Sequence, residues 1–163
     1  MTREGRRLGI DLGDRRIGLA VAVDDASPRG LPTMMRAEHA SADAARLAVI
    51  CQEQRIDRLV IGLPLHSDGG ASVQGEKTLR WAEEVGRILQ LPMRFVDERY
   101  STTRATVRVG RQGGGAGGRA PGPRRRAAYR ASIDQAAAAL ILEDEADPGL
   151  RVDPRRVKDG GQT

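Results

Sequence analysis

At 163 residues, 39% of them hydrophobic, the chain has the material for one domain with a full core. Aromatic residues make up only 2%, so the core is aliphatic and alanine-rich, which argues against base recognition on a platform of stacked rings. The net charge is +5 and Lys77 and Lys158 are the only lysines; arginine forks match phosphate geometry and point to a nucleic-acid partner, although GC-rich coding accounts for the preference of Arg over Lys.

Arg7 to Leu12 reads as a strand, with Leu8, Ile10 and Leu12 on one face and Gly9, Asp11 and Gly13 on the other. Gly13-Asp14-Arg15-Arg16 is the turn to a second strand, Ile17 to Val23, whose small residues Gly18, Ala20 and Ala22 share a face. Pairing of the two sets Asp11 over a floor of very small residues, with room for a helix or a substrate backbone. A third strand spans Leu31 to Arg36, and Pro32 assigns it to an edge. Ser41 caps a helix to about Gln54, with Ala44, Leu47, Ala48 and Cys51 as its inner stripe.

The continuous apolar run Leu59 to Leu63 reads as a buried parallel strand. After a loop, a helix from Val73 to about Gln90 turns Trp81, Ala82, Val85, Ile88 and Leu89 inward. Pro92 introduces a strand, Met93 to Asp97, with Glu98 at its end, and Ser101 caps a short helix through about Val109. Residues 110–126, rich in Gly, Pro and Arg, hold no regular structure and form a flexible loop. A helix from about Ala127 to Glu145 follows, and the polar tail 149–163 is expected to be disordered. The sum is a single α/β domain over residues 1–148. Its mixed five-stranded sheet joins an antiparallel three-strand meander to two parallel strands, with helices on both faces.

The single cysteine, Cys51, leaves no disulfide framework or cysteine zinc site within one chain and suits a reducing cytoplasm. No apolar run approaches the length of a membrane span, and the N-terminus lacks the apolar segment of a signal peptide, so no membrane partner is expected.

Three acids stand out by context: Asp11 inside the first strand, Glu98 at the end of the last, and Asp134 on an alanine stripe of the final helix. A carboxylate in such surroundings is costly to bury uncompensated. Convergence of three oxygen donors suits hard divalent cations, Mg²⁺ or Mn²⁺. Two ions held ~3.5–4 Å apart can serve phosphodiester hydrolysis by activating water and stabilising the leaving oxygen. Asp97 is the poorer candidate because strand neighbours point to opposite faces. The competing reading makes each acid an ordinary ion-pair partner for the abundant arginine.

Between Glu98 and Asp134 there is no acidic residue, while the stretch holds Arg99, Arg104, Arg108, Arg111, Arg119, Arg124, Arg125, Arg126 and Arg130. Clustered arginine beside flexible glycine suits clamping a phosphate backbone without reading bases. A solvated insertion is the plainer alternative. Tyr100 and Tyr129 are read as packing residues rather than stacking platforms. His66 and His39 are read as surface or structural, and Ser67 and Thr102 have no visible general base.

The chain resembles the YqgF/RuvX family, a branch of the RNase H-like nucleases. The resemblance is carried by Gly9-Ile10-Asp11-Leu12-Gly13, Arg16-Ile17-Gly18-Leu19-Ala20 and Gly62-Leu63-Pro64-Leu65 with Asp68-Gly69. It continues through Val96-Asp97-Glu98-Arg99 with Ser101-Thr102-Thr103, and Asp134 with Ala136-Ala137-Ala138. It implies an RNase H-like fold, with Asp11, Glu98 and Asp134 as metal-binding catalytic acids of an endonuclease. The family is associated with maturation of the 5′ end of 16S rRNA, and its relatives include Holliday junction resolvases. The glycine-rich insertion at Gly113 to Gly118 departs from the family pattern.

Two further classes compete: a nucleotide-phosphate site of the sugar-kinase and actin type, which needs two such domains, and a nucleic-acid binder without turnover. Symmetric cutting of a junction would require two active sites, so both a monomer and a homodimer stay open.

Overall fold

The alternation of the first two strands builds an antiparallel hairpin. β1 (Arg6–Leu12) pairs with β2 (Arg16–Val23), Asp11 opposite Gly18, and the turn closes through the Gly13 N–H donating to the Arg16 carbonyl at 2.9 Å. β3 (Arg29–Met35) adds to β2 as an edge strand, where the missing N–H of Pro32 is tolerated. The computed structural model describes residues 5–99, 101–110 and 120–158. Arg111, Arg119, Tyr100 and the last five residues, 159–163, lie outside them, and so does the glycine-rich insertion.

The chain continues through α1 (Ala40–Gln54), β4 (Arg58–Leu63), α2 (Val73–Leu89), β5 (Met93–Asp97), α3 (Ser101–Val109) and α4 (Pro123–Asp144). A single 3-10 turn (Pro148–Leu150), β6 (Arg151–Val152) and α5 (Pro154–Lys158) complete it. The sheet order is β3-β2-β1-β4-β5-β6, with β4 parallel to both β1 and β5. It is the expected mixed sheet, but it has six strands rather than five.

The extra strand comes from the segment read as a frayed tail. Asp147 accepts from the Gly149 N–H at 2.8 Å to form a turn, and the Arg151 side chain donates to the Glu145 carbonyl at 2.8 Å. Val152 then lies opposite Phe95. A two-residue strand is too short to show alternation.

Three other expectations shift. Ser41 lies inside α1, whose N-cap is His39 with no side-chain hydrogen bond. In the inner stripe of α1, Asp43 is buried and Ala48 is exposed. The Asp43 carboxylate accepts from the Ala37 N–H at 2.8 Å and from the Trp81 indole at 3.1 Å, so its burial is satisfied. The final helix starts at Pro123, well before Ala127, because Pro is suited to a first helical turn.

α1 and α2 cover one face of the sheet, against Leu8, Ile10, Leu19, Leu59 and Ile61. α4 covers the other, where Ala138, Ile141 and Leu142 meet Ala20, Ala22, Val60 and Val96. α3 packs on the outside of α4 through Ala105, against Ala136, Ala137 and Leu140. That double contact explains why Ala136 to Leu142 is buried on every side. Among the described residues no helix is long and apolar enough to cross a membrane.

The C-terminal end of α4 is tied down by charge. Glu145, directly after the helix, accepts from Arg7 at 2.8 Å, Arg58 at 2.9 Å and Arg94 at 3.0 Å. The carboxylate is buried, so removing it leaves uncompensated guanidinium groups at the strand starts. Glu145→Ala is expected to lower the unfolding free energy in urea titrations by about 3–5 kcal/mol, the range for breaking a buried ion pair from one side. A loss below about 1 kcal/mol would mean the cluster behaves like a surface pair.

Candidate active site

Asp11 stands near the end of β1. Gly18 lies opposite it on β2, and the parallel register that pairs Ile10 with Ile61 carries on to set Gly62 beside it on β4. These positions look toward α4. A methyl group built on Gly9 would stand 2.5 Å from the Ala138 carbonyl, one on Gly18 would collide with the backbone of Asp134, and one on Gly62 would stand 2.6 Å from Ile141. Absent side chains at these positions let the helix approach the sheet. The expected floor of small residues is therefore filled by a helix rather than left open.

The two other acids arrive on either side of Asp11. Asp134 rides over Gly18 on α4. Glu98 follows β5, its N–H donating to the Leu63 carbonyl at 3.1 Å, and its Oε2 lies 2.7 Å from where a Gly62 methyl would be. In the order β2-β1-β4, Asp134 therefore lies over the strand on one side of Asp11 and Glu98 reaches the strand on the other. Asp11 and Asp134 line one open cleft of about 260 Å³ with Gly13, Asp14, Arg15 and Arg16. Glu98 is not part of that lining.

As they stand, the carboxylates do not close into a ready cage: among the described residues no three Asp, Glu, His or Cys side chains are grouped to hold a metal ion. Asp134 instead receives the guanidinium of Arg16, Nε to Oδ2 at 2.8 Å. The donor set still suits a hard cation: it is all oxygen, and the Asp134 carboxylate already accepts a positive group, the Arg16 guanidinium.

The turn that carries Asp14 to Arg16 is anchored from behind. Arg36 donates through its side chain to the Gly13 carbonyl at 3.2 Å and through its N–H to the Arg15 carbonyl at 2.9 Å. Gln74 on α2 donates to the Leu12 carbonyl at 3.2 Å. Sequence reasoning missed Arg36, Gln74 and the pairing of Arg16. Arg16 had a signal, being part of a motif, whereas Gln74 had none.

The arginines expected to clamp phosphate divide into groups. Arg104 forms a fork to Asp144 at 2.6 and 3.1 Å, and Arg108 a fork to Glu143 at 2.9 and 2.8 Å. These hydrogen bonds raise both guanidinium pKa values and strut α3 against the end of α4. Arg99 donates to Asp97 at 2.7 Å and to the Ser67 carbonyl at 3.2 Å, and Arg126 donates to the Pro121 carbonyl at 2.5 Å. Arg124, Arg125 and Arg130 are exposed on the projecting first half of α4, and among the described residues none of the three pairs with an acid.

Tyr129 donates to the Gly110 carbonyl at 2.9 Å, in keeping with a packing role. His66 is exposed in its loop. Cys51 is buried, and burial pushes its thiol up to about 11, which suits an inert core residue.

Comparison with known proteins identifies the family and the fold. The family described as RuvX, Holliday junction resolvase, matches residues 5–147. A protein of Synechococcus elongatus (strain ATCC 33912 / PCC 7942 / FACHB-805), named "Putative pre-16S rRNA nuclease", is 38% identical over 150 residues, 91% of this chain and 92% of that protein. A protein of the same name from Mycobacteroides abscessus is 36% identical over 144 residues, 86% of this chain and 80% of that protein. Among solved structures, T. thermophilus RuvC in complex with a Holliday junction substrate matches with a TM-score of 0.52 and 16% identity, over 91% of this chain and 100% of that chain. The fold is thus the RNase H-like one that the motifs implied.

The close approach of α4 at Gly18 gives a direct test. Gly18→Ala is expected to cost about 1–3 kcal/mol of stability in urea titrations, as overpacking does. Gly122→Ala, where nothing lies within 4 Å of the added methyl, is expected to cost less than about 1 kcal/mol.

Proposed function

The chain belongs to the RuvX family, and from that membership we propose that it is a divalent-metal-dependent endonuclease that processes the 5′ end of pre-16S rRNA. The observation that carries the proposal is the meeting of Asp11 and Asp134 at one cleft, with Glu98 on the other side of Asp11. Asp11, Glu98 and Asp134 would hold Mg²⁺ or Mn²⁺, in a two-ion arrangement. Bound there, the ions would supply the positive charge that activates water and stabilises the leaving oxygen. Hydrolysis of the P–O3′ bond would leave a 5′-phosphate and a 3′-hydroxyl.

The remaining residues bind and position. The strand ladder and the braced turn hold Asp11 fixed. Arg124, Arg125 and Arg130 offer exposed cations to the phosphate backbone on the projecting part of α4, and Arg111 and Arg119 of the adjoining segment would add to them. Arg99, Arg104, Arg108 and Arg126 would join only by releasing their present partners. The single buried thiol and the rRNA substrate suit the cytoplasm. A second reading, resolution of Holliday junctions, is favoured by the family's description; it requires paired active sites and therefore a homodimer, whereas a monomer suffices for trimming an RNA end.

Side-by-side cleavage of a precursor 16S rRNA end and a synthetic four-way junction in Mg²⁺ or Mn²⁺ separates the two readings. Cleavage is expected on the RNA and to stop with EDTA. Asp11→Asn is expected to abolish it while changing stability by less than about 1 kcal/mol; full activity in that variant would overturn the assignment. Replacing Arg124, Arg125 and Arg130 together by Ala is expected to flatten the slope of log K against log salt on single-stranded RNA by about 2, at roughly 0.7 per lost phosphate contact.

A further inference from the structure

Asp134 enters the cleft already paired. Its Oδ2 accepts from Arg16 Nε at 2.8 Å, and the two side chains are 15% and 35% exposed. The contact differs from the two forks that join α3 to α4. Arg104 and Arg108 each use both ends of the guanidinium, whereas Arg16 makes one hydrogen bond to Asp134, through Nε. A single, partly solvated bond of this kind is weak enough to exchange.

We propose that Arg16 is a positioning residue that holds the cation-facing oxygen of Asp134 and is displaced from it when a divalent cation binds; this rests on the metal-dependent reading above. Three features of the site require the exchange. The backbone of Asp134 is held in place, because it lies against Gly18 and its helix is tied down at Glu145. The backbone of Arg16 is fixed too, since its carbonyl accepts from the Gly13 N–H and the adjoining carbonyl of Arg15 from the Arg36 N–H. Breaking the contact is thereby left to the side chains, and the longer, more exposed one is that of Arg16. The cleft offers that side chain a second place, because Asp14 lines it as well and is not among the acids assigned to the metal. A divalent ion brings two charges to a carboxylate neutralised by one, so cation and guanidinium compete for the same oxygen. The freed guanidinium stays within the cleft, where it is available to an incoming phosphate.

The test uses the full chain and MnCl₂ alone, with no nucleic acid, by titration calorimetry. Arg16→Gln is expected to bind Mn²⁺ roughly three- to tenfold more tightly than the unmodified protein, the gain set by a partly exposed ion pair. Arg16→Lys, which keeps a cation at the position, is expected to return the affinity to within about twofold. A purely structural role for Arg16 predicts unchanged or weaker binding in Arg16→Gln. That result would overturn the proposal and leave the metal-dependent reading standing, while absence of Mn²⁺ binding in both proteins would remove the two together.

A second measurement needs no variant. The NMR signal of the Arg16 Nε–H in the unmodified protein is expected to shift as Mg²⁺ is added, saturating with the bound fraction. A signal that holds still while Mg²⁺ saturates the protein would overturn the exchange.

Discussion

Glu145 is 1% exposed and takes hydrogen bonds from Arg7, Arg58 and Arg94, one near the start of each of the three strands that run parallel at the centre of the sheet. Neither the carboxylate nor Arg7 would be stable there alone, since an unpaired buried charge is among the costliest defects a fold can carry. The cluster is therefore stable only when β1, β4 and β5 are in register and the end of α4 is in place. That requirement sets the position of the helix along the sheet. Roughly three helical turns back from this anchor, Asp134 falls over the opposite ends of the strands, beside Asp11. The geometry of the site is inherited from an ion cluster far from it.

The second requirement is closeness. A helix backbone can lie on a strand only where the strand has no side chain, and Gly9 and Gly18 meet that condition as a patch on two adjacent strands, while Gly62 on the next makes room for the side chains of Ile141 and Glu98. Anchor and patch act together: one fixes the register of α4, the other its height. Acids carried by three separate elements thereby reach neighbouring positions, although the chain brings them from residues 11, 98 and 134.

Much of this was legible in the residues themselves. Alternation in β1 and β2 showed which face Asp11 occupies, and the small residues opposite it left room for a helix or a substrate backbone, of which the helix takes the space. An acid within an alanine run marked α4 as the helix that contributes to the site, and the ordered motifs pointed to the RNase H-like fold. Less was legible where the outcome depends on pairs distant in sequence. Nothing local to Arg104 or Arg108 reveals that Asp144 and Glu143 will neutralise them, so a stretch without acids looked more available to phosphate than it is. Asp43 broke the apolar stripe of α1 because Trp81, on another helix, supplies its partner. The sixth strand escaped for a different reason, being too short to leave a pattern.

The bond from Tyr129 to the Gly110 carbonyl joins the end of α3 to the exposed part of α4, and the Arg104 and Arg108 forks join the same two helices further along. The connection between Gly110 and Ala120 is thus closed at its base by contacts that do not involve it. The entropy of closing a loop grows only slowly with its length. Residues can accordingly be gained, lost or exchanged in that connection over evolutionary time while the acids keep their places. Lineages are left free to remodel that connection without shifting Asp11 or Asp134.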